Sequence, residues 1–300
     1  MKPPTILAAV VALIAGSQAG AAERTTTWLT PLGGVVGSYS RTVKPREFFY
    51  SQPLAYKGAA RLAQTYVEGS GPNALTVPSG EPLFQVSASS GDFWCTARSF
   101  RNLDAGSAVG LGLRYSILGQ LAGKSSTPRQ LSWQCFRDKD GDMAFDEVGG
   151  GGPQSGFATM LVGAVNDVVP LPTPVRYEKV DPSTAFAPIT LGISVSQTAD
   201  RKAHQSYLVG LCDADLRPPA KGDCFEQQQY KIGPDGGLPA VIEVLGGRIV
   251  ITALTTADDG SISATYSVDR PFSAPLSASI LLKSQGAYSI RKYVILVPGG

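Results

Sequence analysis

Five carboxylates fall between Asp138 and Glu147, in the stretch CFRDKDGDMAFDEV that begins at Cys135. Hard, anionic oxygens in alternate positions of a tight turn are the donor set that a divalent cation of the calcium kind requires, because Ca²⁺ takes six to eight oxygen ligands. The candidate ligands are the side chains of Asp138, Asp140, Asp142, Asp146 and Glu147 and the backbone carbonyl of Ala144. Arg137 and Lys139 offset two of these five charges, which leaves about −3 over the stretch to be relieved by solvent, salt or a bound cation.

The segment DKDGDMAF resembles the first eight positions of a calcium loop of the EF-hand or dockerin type. Asp138, Asp140 and Asp142 stand at positions one, three and five, and Phe145 stands where that family places an apolar residue. The resemblance covers about ten residues and implies a Ca²⁺ cofactor at this loop only. It departs from the family at two positions: Met143 replaces the turn glycine at position six, and Gly149 replaces the bidentate glutamate at position twelve. A second reading remains open, in which Asp140-Gly141 is a two-residue hairpin turn and the acidic side chains are simply solvated.

Other chemistries find little support. His204 is the sole histidine and lies in a polar stretch, and no nucleophile elbow, phosphate-binding loop or HExxH motif occurs. A pair of carboxylates acting as in glycosidases has no sequence signature, so a secreted carboxylate-dependent hydrolase stands as the alternative to a binding or structural role. Phe48, Phe49 and Tyr50 form an aromatic cluster that reads as core rather than as a sugar platform. Basic residues form no long run, and the net charge of +2 suggests neither nucleic acid nor anionic membrane as a partner.

The elements that would position these residues are strands. Only 17% of residues are charged, against about 25% in average domains, while 34 glycines and 22 prolines indicate many turns. Ile189, Leu191, Ile193 and Val195 alternate with polar or small residues, the period of a half-buried strand. Similar strands are expected at 83–87, 93–97, 111–117, 131–137, 207–212, 241–245, 248–254, 261–268 and 277–282. Gly246-Gly247 and Asp259-Gly260 should join three of them as a tight meander. GAARLAQTYVE is ambiguous, with Ala59, Leu62, Ala63, Tyr66 and Val67 at helical spacing favouring a short helix. The fold class expected is all-β: an antiparallel β-sandwich, as one large or two smaller domains, with few short helices.

Residues 1–21 carry Lys2, an apolar run and Ala19-Gly20-Ala21, the layout of a cleaved signal peptide, so the mature chain is expected to begin at Ala22. Cleavage after Ala19 is the alternative. The four cysteines, Cys95, Cys135, Cys212 and Cys224, then read as two disulfides in sequential pairing, Cys95–Cys135 and Cys212–Cys224. The expected division is a β domain over 22–148, a glycine-rich linker or loop over 149–157 and a second β domain over 158–300. Location is expected to be secreted or periplasmic, with no membrane-spanning segment after cleavage. An outer-membrane β-barrel is a further alternative, although disulfide-bearing strands suit a lipid-facing wall poorly.

Overall fold

The structure, a computed structural model, describes residues 22–44, 47–69, 74–98, 133–154, 161–199, 205–213, 229–232, 237–284 and 290–298. The expected signal peptide, the strand at 111–117, His204 and the Cys212–Cys224 pairing lie outside these residues. In chain order the elements are β1 (Glu23–Pro31), β2 (Gly37–Val43), β3 (Phe48–Tyr56), β4 (Ala59–Leu62), β5 (Tyr66–Glu68), β6 (Leu75–Val77), β7 (Pro82–Ala88), β8 (Gly91–Thr96), β9 (Trp133–Arg137), β10 (Ala144–Gln154) and β11 (Val162–Val180). They continue with α1 (Pro182–Ala185), β12 (Ile189–Ala199), β13 (Gln205–Asp213), β14 (Gln229–Ile232), β15 (Ala240–Val244), β16 (Gly247–Thr256), β17 (Ile262–Arg270), β18 (Leu276–Ser284) and β19 (Ile290–Pro298). The fold is all-β, and the strand pairings described here are antiparallel.

Six of the strands close on themselves. β7 pairs β8, β8 pairs β9, β9 pairs β10, β10 pairs β11, β11 pairs β4, and β4 returns to β7. The ring removes the unpaired edges that an open sheet would expose. Its interior is filled with side chains. Trp94 on β8 and Tyr177 on β11 belong to strands three steps apart around the ring, yet their ring centroids are 5.9 Å apart, so both point inward. Phe145 stacks on Tyr177 at 4.1 Å and on Phe136 at 5.2 Å, and each such aromatic pair adds about 0.5–1.5 kcal/mol beyond its buried area. The β5–β6 hairpin adds Tyr66, Leu75 and Val77 to the same cluster.

A sandwich adjoins the ring. One of its sheets runs β19-β18-β1-β3-β12-β13-β14 and the other runs β15-β16-β17-β2. Tyr266 of β17 meets Phe49 of β3 edge to face at 4.9 Å and donates a hydrogen bond from its hydroxyl to the Phe49 carbonyl at 2.7 Å, which ties the two sheets together. Phe49 is fully buried and Tyr50 nearly so, as expected for core aromatics. Strand β1 belongs to both bodies: Thr25 and Thr26 pair with β7, whereas Thr27 to Leu29 pair with β18.

Three local expectations are corrected. GAARLAQTYVE forms β4 and β5 rather than a helix. Ala60 and Leu62 belong to the ring's core cluster, and pairing to β7 and β11 overrides the weak helical spacing. Residues 149–154 are strand, not a linker or loop. Gly149 and Gly151 stay extended because no larger residue fits: a Cβ on Gly149 would lie 2.7 Å from Val165 Cγ1, and one on Gly151 would lie 2.8 Å from the Cys135 sulfur. Pairing therefore inserts the ring strands β4–β11 between β3 and β12, which pair directly with one another. The β15–β16 turn centres on Leu245 and Gly246, both with positive φ (51° and 70°), one residue earlier than Gly246-Gly247. The meander order β15-β16-β17 is as expected.

Candidate metal centre

The acidic stretch connects β9 to β10 at one end of the ring. The last ladder pair between these strands is Arg137↔Glu147, and Ala144 and Phe145 already pair with β11. The connection is therefore a wide loop and not a two-residue hairpin. It is wide because its carboxylates fold back on its own amides. Asp138 Oδ1 accepts from the Gly141 amide at 2.7 Å, Asp142 Oδ1 from Ala144 at 2.8 Å, and Asp146 Oδ2 from Lys139 at 2.9 Å. Longer bonds run from the Asp142 amide to Asp140 Oδ1 (3.3 Å) and from the Met143 amide to Asp138 Oδ2 (3.2 Å). Such side-chain acceptors let a short polar segment satisfy its backbone without ladder partners.

Asp138, Asp140 and Asp146 converge: one carboxylate oxygen from each lies within 4.8 Å of the other two. Asp138 and Asp146 are half-buried and Asp140 is exposed. This acidic triad can hold a metal ion, and hard oxygen donors suit Ca²⁺ or Mg²⁺ better than softer metals. Asp142 is outside the triad and caps Ala144 instead. Ala144 is buried, and its amide serves that bond.

Glu147 is placed differently from its expected role as a ligand. Arg137 donates to its Oε2 from Nε at 2.8 Å and also from a terminal guanidinium nitrogen, and Lys139 Nζ donates to its Oε1 at 3.1 Å. Burial alone would raise the Glu147 pKa, but the hydrogen bonds and charges of Arg137 and Lys139 outweigh it and hold the carboxyl below the usual range. Both basic side chains of the stretch are thus directed to Glu147 rather than to the triad. Arg137 also lies over the Phe93 ring at 4.9 Å.

Tyr177 is the participant that sequence reasoning missed. Its ring sits in the ring core while its hydroxyl donates to Asp138 Oδ2 at 3.0 Å. Burial, and then the hydrogen bond to Asp138 and the charges of Asp138 and Asp142, push its pKa well above that of an ordinary tyrosine. Met143 takes a left-handed backbone (φ 70°) at the position where the calcium loops it resembles carry glycine, and Gly141 does so too (φ 82°). The disulfide Cys95–Cys135 is present and bridges β8 to β9 three residues before Asp138. No helix among the described residues is long and apolar enough to cross a membrane.

Comparison of the chain with protein-family models, with curated proteins and with solved structures returned no match.

Proposed function

We propose that the chain is an exported β-rich protein of the cell envelope or outside medium, binding or structural in role, whose Asp138–Asp146 loop takes one Ca²⁺ as a staple. The observation that supports the cation most is the convergence of Asp138, Asp140 and Asp146 at a turn whose two basic neighbours are engaged by Glu147. An ion there would neutralise the mutual repulsion of the triad and tie the end of β9 to the start of β10. Location outside the cytoplasm is supported by the Cys95–Cys135 disulfide, since such bonds persist in oxidising compartments.

The role is a staple rather than a sensor. The loop joins two paired strands of a filled ring, and it has no helix pair to swing on ion binding. Extracellular millimolar Ca²⁺ would fill even a site with a dissociation constant of about 10⁻⁴ to 10⁻³ M. Thermal melts of the purified mature protein with Ca²⁺ and with EGTA test this reading. At a Ca²⁺ concentration 100 times the dissociation constant the gain is about 2.7 kcal/mol, and Asp140→Ala abolishes it. A gain that survives the substitution, or no gain at all, removes the cation from the account. Mass spectrometry of exported protein should find the mature chain starting at Ala22.

A further inference from the structure

We propose that the Cys95–Cys135 disulfide is a redox latch on the ring: oxidised it closes the β8–β9 seam, and reduced it lets that seam part while the sandwich stays folded. The proposal is independent of the cation. Among the described residues the β8–β9 ladder is the shortest in the ring, consisting of Trp94↔Phe136 and Cys95↔Cys135, so that one of its two pairs is the bridge itself. The neighbouring seams run longer, from Leu83↔Thr96 to Ala88↔Gly91 between β7 and β8, and from Arg137↔Glu147 to Trp133↔Gly151 between β9 and β10. Just beyond the bridge, the Gln134 amide bonds the Thr96 hydroxyl at 3.1 Å, a side chain standing in for a ladder carbonyl.

The neighbouring seams are also joined by short connections, Ser89-Ser90 between β7 and β8 and residues 138–143 between β9 and β10. The two cysteines are 40 residues apart in sequence, so without the bridge the seam must be closed against the entropy of joining distant points of the chain. Besides the contacts of Arg137 with Phe93 and Ser90, which a parting seam must also give up, the other ladder of β8 is to β7 and that of β9 is to β10. Opening this seam leaves an open sheet ordered β9-β10-β11-β4-β7-β8. The sandwich strands β15–β17 pair with none of these and are not disturbed.

The chemistry balances with a small dithiol as reductant. Its thiolate attacks one bridge sulfur to give a mixed disulfide, and its second thiol displaces the other protein sulfur. Cys95 and Cys135 take up two electrons and two protons, and the reductant leaves as its own cyclic disulfide. Both cysteines are fully buried, so attack awaits a partial opening of the seam, and the latch releases slowly.

Hydrogen exchange on the full mature chain, without denaturant and before and after dithiothreitol, tests the latch, with alkylation and peptide mapping to establish which cysteines are reduced. The expected result is exchange on the order of 10²-fold faster at Trp94, Gln134 and Phe136, whose amides face the seam, with β16–β17 unchanged. Reoxidation should restore protection. The variant Cys95→Ala/Cys135→Ala should show the same pattern, and if it fails to fold the reduced wild-type protein still decides. Unchanged protection at those amides once Cys95 and Cys135 are alkylated would overturn the proposal. So would a bridge that yields to the dithiol only when β16–β17 lose protection as well.

Discussion

Glu147 and Arg137 stand directly opposite one another on β10 and β9, with side chains only 12% and 14% exposed. Replacing Glu147 by Gln leaves the Arg137 guanidinium half-sequestered over Phe93, with only uncharged partners, the Ser90 hydroxyl and the Ser90 carbonyl at 3.3 Å. Two unit charges about 4 Å apart attract by ~4 kcal/mol near a protein surface, and removing one partner of a buried pair costs about 3–5 kcal/mol. The residual exposure places this pair at the low end, about 3 kcal/mol for Glu147→Gln. Arg137→Met should cost slightly less, about 2 kcal/mol, because Lys139 still reaches Glu147, but from a side chain 57% exposed that contributes 1 kcal/mol at most. In the double variant no charge is stranded, and the loss should be about 2–3 kcal/mol rather than the sum. Urea unfolding of the four proteins measures the cycle as shifts in midpoint at constant slope. A coupling below about 0.5 kcal/mol would refute the idea that the pair acts as a unit.

Further outcomes follow from the same neighbourhood. Because the Glu147 pKa is lowered on folding, its stabilising contribution is complete above the ordinary glutamate value of about 4.3 and is lost as pH falls through the lower folded value. The stability difference between wild type and Glu147→Gln should therefore shrink below about pH 4 when urea midpoints are compared across pH. Gly151→Ala puts a methyl 2.8 Å from the Cys135 sulfur and 3.3 Å from Val162 Cγ1. Overpacking there should lower stability by about 1–3 kcal/mol, read from the same unfolding curves. Met143→Gly relieves a left-handed residue that is 36% exposed, and the gain, up to about 1 kcal/mol, should appear as a higher melting temperature.

The sandwich meander was legible because Ile249 and Ile251 alternate with Arg248 and Val250 and because glycines mark its turns. The ring was not. Its closure depends on pairings such as Ala59↔Phe84 and Tyr177↔Leu62, which leave no local pattern. Strand β11 was hidden for a different reason: Pro170, Pro172 and Pro174 read as breakers, and the structure gathers residues 171–174 into a bulge opposite the single residue Asp146. Glycine misled in the opposite sense, since Gly149 to Gly152 look flexible in isolation yet Gly150 and Gly151 pair with both β9 and β11, Gly149 with β9 and Gly152 with β11.

At the loop, the short sequence spacing already put Asp138, Asp140 and Asp146 in one neighbourhood, and the structure brings one carboxylate oxygen of each within 4.8 Å of the others. The wider span of the loop is what turned Asp142 to the Ala144 amide and Glu147 to Arg137. Tyr177 is 39 residues beyond its partner Asp138, and only the closed ring brings the two together.

Direct titration of the metal-free mature protein with Ca²⁺, followed calorimetrically beside the variant Asp138→Asn/Asp140→Asn, tests the central claim most closely. The account predicts one ion per chain, bound with a dissociation constant no weaker than about 10⁻³ M, and no binding heat in the variant. Equal binding by both proteins, or none by either, would contradict it.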